Sequence, residues 1–268
     1  MSSLSNTYRP ILDFLAAVGR SLLIFLETIG RLTIFTITAL SHCVRPPIHF
    51  QLIARQMVDI GYYSLPVVGL TALFSGMVLA LQSHVGFARF QAEEAVATVV
   101  VLSITRELGP VLAGLMVAGR MGASMAAEIA TMRVTEQIDA LSTLAVDPFK
   151  YLVAPRLIAG LTMLPLLVVV ADLIGVFGGF IIGVYRLDFS AEVYMNRTWE
   201  FLEAYDVISG LIKASVFGFL ISLMGCYHGY HSRQGAAGVG SATTNAVVSA
   251  SILILVFNYF LTGTFFAG

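Results

Sequence analysis

The feature that most constrains this chain is a series of apolar stretches. Each approaches the roughly 20 residues that a helix rising about 1.5 Å per residue needs to cross a hydrocarbon core of about 30 Å. They fall at Tyr62–Leu81, Thr98–Ala118, Leu157–Tyr185, Ile208–Tyr227 and Ala246–Phe265, and the third is long enough to tilt or to break. Of the 268 residues, 57% are hydrophobic and only 12% carry charge, a balance foreign to water-soluble domains. Inside a bilayer each backbone N–H and C=O needs a partner within the protein, and helices supply it segment by segment. The expected fold class is an all-α polytopic membrane protein.

The sequence ahead of the first stretch has another pattern. Ile11, Leu15, Val18, Leu22, Leu26 and Ile29 recur at helical steps, while Asp13, Arg20, Glu27 and Arg31 share a different face. That spacing predicts an amphipathic helix lying on the membrane surface, with a sixth spanning helix as the alternative. The segment lacks the basic start, short apolar core and small-residue cleavage site of a signal peptide, so it is expected to stay attached. Residues 1–56 are therefore read as an N-terminal membrane-surface segment, and residues 57–268 as five transmembrane helices with a cytoplasmic coupling region at 120–156.

Cations between the spans are distributed unevenly. Arg9, Arg20, Arg31, Arg45, Arg55, Arg120, Arg133, Lys150, Arg156 and Arg233 fall on one side, and Arg89, Arg186, Arg197 and Lys213 on the other. Cytoplasmic loops are the ones rich in Lys and Arg, which places the N-terminus inside and the C-terminus outside. The outer loop before the fourth span is acidic, with Asp188, Glu192, Glu200, Glu203 and Asp206 around Trp199, and suggests a small structured cap.

Several functions are disfavoured. The net charge of -1 comes with no basic stripe of the kind that binds nucleic acid. Cys43 and Cys226 are too far apart in sequence to suggest a disulfide framework or a metal site. His228 and His231 lack a third ligand nearby, so no metal and no cofactor are expected. The glycine-rich run Gly235–Asn245 lacks the Gly-Lys-Ser/Thr ending of a nucleotide-binding loop and follows no strand, which leaves a hinge or a close-packed helix start. An intramembrane lipid-modifying enzyme would need a nucleophile with its base or a metal cluster, and a channel would need polar rings along several spans. Neither pattern is present.

Three places break the apolar rule. Arg106 and Glu107 stand together in the second span just before Gly109-Pro110, where an unpaired charge costs several kcal/mol. They suit either a structural ion pair at a bend or a polar spot in a greasy cavity, where Arg106 would meet a phosphate. Asp172 in the third span is a lone acid, read as a hydrogen-bonded structural group in preference to a proton relay. The stretch Arg133–Leu141, with Thr135 as N-cap, predicts a short exposed helix whose Ile138 and Leu141 share a face. That face either packs on the spans or awaits a partner. Glycines at 175, 179 and 183, and Gly114, Ala118 and Gly122, recur every fourth position and predict close helix packing.

Taken in order, these segments resemble the MlaE/YrbE family, the permease subunits of MCE-type ABC lipid transporters. The resemblance runs from about Leu65 to Phe266. It is carried by Gly76-Met77-Val78-Leu79-Ala80-Leu81-Gln82, Arg106-Glu107-Leu108-Gly109-Pro110, Gly119-Arg120, Ala127-Glu128-Ile129, Thr135-Glu136-Gln137, Asp147-Pro148, Pro155-Arg156 and Gly238-Val239-Gly240-Ser241-Ala242-Thr243-Thr244. Before Met57 only the amphipathic character matches.

The resemblance implies a permease homodimer without an ATP site of its own, a cytoplasmic ABC ATPase dimer, a periplasmic hexamer of MCE proteins and a STAS-domain partner. It implies phospholipid cargo exchanged between a bacterial inner membrane and the MCE protein to maintain outer-membrane lipid asymmetry, with a sterol or another lipid as the alternative. Leu79, Gln82, Phe87, Phe90, Arg106 and Glu107 would line the lipid cavity. Arg133, Thr135, Glu136, Gln137, Ile138, Asp139 and Leu141 would form the coupling helix seated in the ATPase.

With five spans and this charge asymmetry, a reporter fused after Gly268 is expected to be active only in the periplasm. Activity only in the cytoplasm would mean that the first segment crosses the membrane as well.

Overall fold

The computed structural model describes residues 4–46, 49–90, 92 and 94–266, with all their side chains except those of residues 4–15, 17, 25 and 90. Within these bounds every regular element is helical. Helix α1 spans Leu4–Val44, α2 Phe50–Ile60, α3 Leu65–Phe87, α4 Ala95–Ser103, α5 Gly109–Val117 and α6 Ala123–Val134. Then follow α7 at Gln137–Thr143, α8 at Ala154–Tyr185, α9 at Ala191–Phe201, α10 at Ala204–Tyr230 and α11 at Ala236–Phe266.

Six stretches are long and apolar enough to cross a bilayer, by length and composition: Val18–Val44, Phe50–Phe87, Ala95–Val134, Phe149–Tyr185, Ala204–Tyr230 and Ala236–Phe266. The chain is thus an all-α polytopic membrane protein. Several stretches bend, and the bends have causes. Pro66 opens α3 after a tight turn at Tyr62–Ser64, and wide π-helical turns at Ile104–Leu108 and Ala118–Gly122 join α4, α5 and α6 into one rod.

At the centre of the bundle stands α10, with 61% of its most apolar window buried against 17% for α11. One side of α8 packs on α10 and another on α3. Water-driven burial does not pull helices together in lipid, so close backbone approach and dense packing must do it. Glycine permits that approach here. A side chain at Gly218 would run into the Gly160 carbonyl, one at Gly76 into the Gly175 carbonyl, and one at Gly178 into the Leu73 carbonyl. The glycines repeating along α8 therefore serve contacts inside the chain, with Gly183 and Gly179 receiving the Tyr194 ring of α9.

The first helix is attached at one end of the bundle. Phe35 and Ala39 are its buried residues among those described, and Phe35 meets Phe149, Tyr227 and Tyr230 at 5.1, 5.4 and 6.0 Å between ring centroids. The His42 Nε2 lies 2.7 Å from the Asp147 carboxylate, and Lys150 donates to the Pro46 carbonyl at 2.6 Å. Leu22, Leu23, Ile24 and Leu26, further toward the N-terminus, are exposed. This apolar surface suits contact with lipid. Of the surface pattern expected here, Ile11, Asp13 and Leu15 have side chains outside the described residues.

The glycine contacts give a direct test. Gly218→Leu is expected to lower stability in detergent by about 3 kcal/mol, because the Gly160 backbone cannot yield. Gly263→Leu, with nothing within 4 Å of the added carbon, should stay within about 0.5 kcal/mol of the parent. Equal thermal unfolding midpoints for the two variants would refute the role given to the glycine contacts.

Candidate functional site

Arg106 and Glu107 lie in the π-helical turn between α4 and α5. Pro110 explains the turn: its ring crowds the carbonyl four residues before it, that of Arg106, and it has no N–H to offer. The helix widens by one residue, and the Gly109 N–H donates to the Ile104 carbonyl. The freed Arg106 carbonyl then accepts from Lys213 Nζ on α10 at 2.9 Å.

Lys213 is the centre of the site. Its side chain is 0% exposed, and besides that carbonyl its Nζ donates to Glu107 Oε1 at 2.6 Å and to Thr262 Oγ1 at 2.8 Å. An ammonium has three protons to give, and all three are used. The second carboxylate oxygen of Glu107 accepts from Asn258 Nδ2 at 2.9 Å, and the Thr262 hydroxyl donates to Oε1 at 2.9 Å. One charged pair therefore ties α10 and α11 to the second span.

Arg106 turns the other way. Its Nε donates to Asp206 Oδ1 at 2.7 Å, and its guanidinium stands 4.7 Å from the Phe266 ring centroid. Asp206 is 1% exposed and also accepts from the Glu203 N–H, in the reciprocal cap that starts α10. The two adjacent charges thus pair with α10, not with each other. Lys213, grouped above with the outer-side cations, lies inside the bundle. Its position about two and a half turns into α10 separates it from the loop charges, and only the fold reveals Glu107 beside it.

The other expected cavity residues form a second group. Leu79 and Phe87 pack half-buried against Ala80, Val96, Val100 and Ile104. Gln82 is exposed, and the Phe90 side chain lies outside the described residues. Arg106 and Glu107 remain about one-third exposed. Leu70, Phe74 and Val78 on α3 and Ile252, Leu255 and Tyr259 on α11 are exposed.

At the opposite end, the expected short helix exists as α7, with two corrections. Thr135 is the C-cap of α6, its hydroxyl donating to the Thr131 carbonyl at 2.9 Å, whereas Glu136 at φ +58° starts α7. Ile138 is 1% exposed and Leu141 packs half-buried on the same core, so the apolar pair anchors α7 to the bundle. The free face consists of Gln137, Asp139 and Ala140, followed by Leu144 at 74% exposure. Arg133 donates to Asp139 at 2.8 Å across the turn.

Asp172, expected to be hydrogen-bonded, has a buried Oδ1 with no partner. Arg120 donates to the Asp59 carbonyl at 3.3 Å and to Ser64 Oγ at 3.0 Å, closing the break between α2 and α3. Arg156 is 3% exposed, 2.8 Å from Glu128, and donates to the Leu152 carbonyl at 2.6 Å. His228 shares a hydrogen bond with Ser249, and His231 with the Tyr227 carbonyl. The glycine-rich run opens α11, and Gly238 packs against the Arg233 carbonyl.

The family model described as Permease MlaE matches residues 53–264. A Rickettsia felis protein named "Probable ABC transporter permease protein" is 59% identical over 256 residues, covering 96% of this chain and 99% of its own. A Haemophilus influenzae protein named "Intermembrane phospholipid transport system permease protein MlaE" is 36% identical over 261 residues, covering 96% and 98%. The Arabidopsis thaliana protein "TRIGALACTOSYLDIACYLGLYCEROL 1, chloroplastic" is 36% identical over 221 residues, covering 82% of this chain and 63% of its own.

Lys213→Met leaves Glu107 without its cation and is expected to cost about 3 to 5 kcal/mol of stability. Adding Glu107→Gln should regain most of that loss, as seen in thermal unfolding of the purified chain. Strictly additive losses would show that the two groups do not act as a pair.

Proposed function

The chain belongs to the MlaE permease family, and on that premise we propose that it is the transmembrane subunit of an ABC transporter that moves phospholipid. The observation that carries the proposal is Arg106. An arginine about one-third exposed inside a spanning segment, held by a buried Asp206 and set against Phe266 of α11, has the chemistry a phosphate headgroup requires, and the exposed apolar faces of α3 and α11 suit acyl chains. The name of the Haemophilus relative supports phospholipid as the cargo.

In this reading two copies of the chain meet through the uncovered α3 and α11 faces. The two groups of cavity residues, Leu79, Gln82, Phe87 and Phe90 with Arg106 and Glu107, then line one shared chamber. The ATPase dimer binds at the cytoplasmic end, where Gln137, Asp139, Ala140 and Leu144 present the free side of α7. Ile138 and Leu141, fixed in the core, carry its movement into the spans. A hexamer of MCE proteins takes or delivers lipid on the periplasmic side, a STAS-domain protein joins the ATPase, and α1 lies on the cytoplasmic surface of the inner membrane. Exchange of lipid through this path would maintain outer-membrane asymmetry.

The test is ATP-dependent lipid movement by the purified complex. Arg106→Ala is expected to leave assembly with the ATPase intact, to reduce copurified phospholipid several-fold, and to weaken lipid-stimulated ATP hydrolysis. A photoreactive residue at Leu79 should capture phospholipid, and one at Leu161, exposed on α8, should capture markedly less. Unchanged lipid content in Arg106→Ala together with equal capture at both positions would overturn the proposal.

A further inference from the structure

A cavity lies between α4, α8, α9 and the start of α10, at the end of the bundle that carries α9, and neither Arg106 nor Glu107 lines it. Its volume is about 260 Å³, and its wall includes Val101, Val169, Val176 and Phe180, with Leu173, Phe177 and Trp199 exposed at the rim. Two residues of this apolar wall carry buried polar atoms without a partner: Asp172 Oδ1 and the Tyr194 hydroxyl. Asp172 is 8% exposed and Tyr194 3%. The other hydroxyls in the wall are occupied, Thr105 donating to the Val101 carbonyl and Thr198 to that of Tyr194.

A buried polar group left unpaired costs about 1 to 3 kcal/mol, so a pair of them around one cavity requires a reason. Packing alone does not supply it. Gly109, whose Cα faces Asp172, shows that the carboxyl is held tightly in place. Water is a poor occupant, since a stable internal water needs two to four polar partners and an apolar cavity of this kind stays dry. The Tyr194 ring lies over Gly179 and Gly183 with its hydroxyl toward Gly179. Gly179 is about 10 Å along α8 from Asp172, at about 1.5 Å per residue. The cavity is thus greasy, and its wall includes both Asp172 and Tyr194.

We infer that this cavity is a second binding site, taking a weakly polar lipid: a slender apolar body bearing a hydroxyl that donates to Asp172. The volume is below the roughly 300 to 1,000 Å³ of sites for larger ligands, which suits one chain or a few rings and not a diacyl phospholipid. A phosphate would also have to leave the membrane surface and approach a carboxyl, whereas a lone hydroxyl in hydrocarbon gains the partner it lacks. The Tyr194 hydroxyl, the other unpartnered polar atom of the wall, can donate to a second oxygen on the body. This site does not depend on the transport reading, because it uses neither Arg106 nor the α3 and α11 faces.

The test uses the full chain in vesicles of phosphatidylethanolamine and phosphatidylglycerol with three photoreactive probes of the same hydrocarbon chain: an alcohol, its methyl ether and a diacyl phospholipid. Crosslinks are mapped by peptide mass spectrometry. The alcohol is expected to label residues 169–180 and 195–207 roughly tenfold more than the ether does, the loss that follows from one missing hydrogen bond. The phospholipid should label at the level of the ether. Asp172→Leu should bring the alcohol down to that level, and Val169→Trp, which fills the cavity but keeps the carboxyl, should do the same. Equal labelling by alcohol and ether, equal labelling by the phospholipid, or undiminished labelling in either variant would overturn the inference.

Discussion

In a bilayer a carbonyl that loses its helical partner has no water to turn to, and in this protein cationic side chains take that place. Pro110 forces the Arg106 carbonyl out of the helical ladder, and Lys213 accepts the task. At the break before α3 the Asp59 carbonyl is met by Arg120, after α1 the Pro46 carbonyl by Lys150, and ahead of α8 the Leu152 carbonyl by Arg156. Each of these cations also bridges segments or meets an acid close by. Charge that looks misplaced in an apolar sequence therefore keeps bent helices intact where straight ones would need none.

The positions of five long apolar stretches were legible because hydropathy is a local property, whereas their helices run longer, as Phe50–Phe87 does against Tyr62–Leu81, and Val18–Val44 adds a sixth stretch long and apolar enough to cross. The oddity of Arg106-Glu107 was legible for the same reason. Their partners were not, since Asp206 and Lys213 lie about a hundred positions away and become neighbours only when α10 packs on the second span. At Ile138 and Leu141 the three-residue spacing correctly marks one apolar face, but spacing carries no information on what covers that face, and the bundle does. Thr135 has the chemistry of an N-cap, yet the left-handed turn at Glu136 gives the next helix its start and leaves Thr135 closing the previous one. Asp172 is the reverse case: a lone acid suggests a partner, and the fold provides none among the described residues.

Two kinds of adhesion divide the bundle. Between α3, α8 and α10 the backbones approach closely through glycine, and these contacts depend on shape alone. By contrast α11 leaves most of its surface uncovered and is joined to the core partly by Asn258 and Thr262. A tight half carries the α9 cavity and the α3 face, and a half joined by hydrogen bonds carries the α11 face given above to a second copy. Helices that slide against one another during a transport cycle are more easily drawn from the second kind, where a few polar bonds exchange and no interlocking backbone must separate.

The partly covered carboxylate of Glu107 also sets an order of events during synthesis. The chain leaves the ribosome from its N-terminus, so Glu107 enters the membrane long before Lys213 exists and longer still before Asn258 and Thr262 emerge. Throughout that interval an acid sits in a nascent helix without its cation, and the early spans have reason to stay near the aqueous lining of the insertion machinery. Arrival of Lys213 discharges the conflict, and α11 seals it last. The polar centre is therefore complete only once α11 has joined α10 beside the second span.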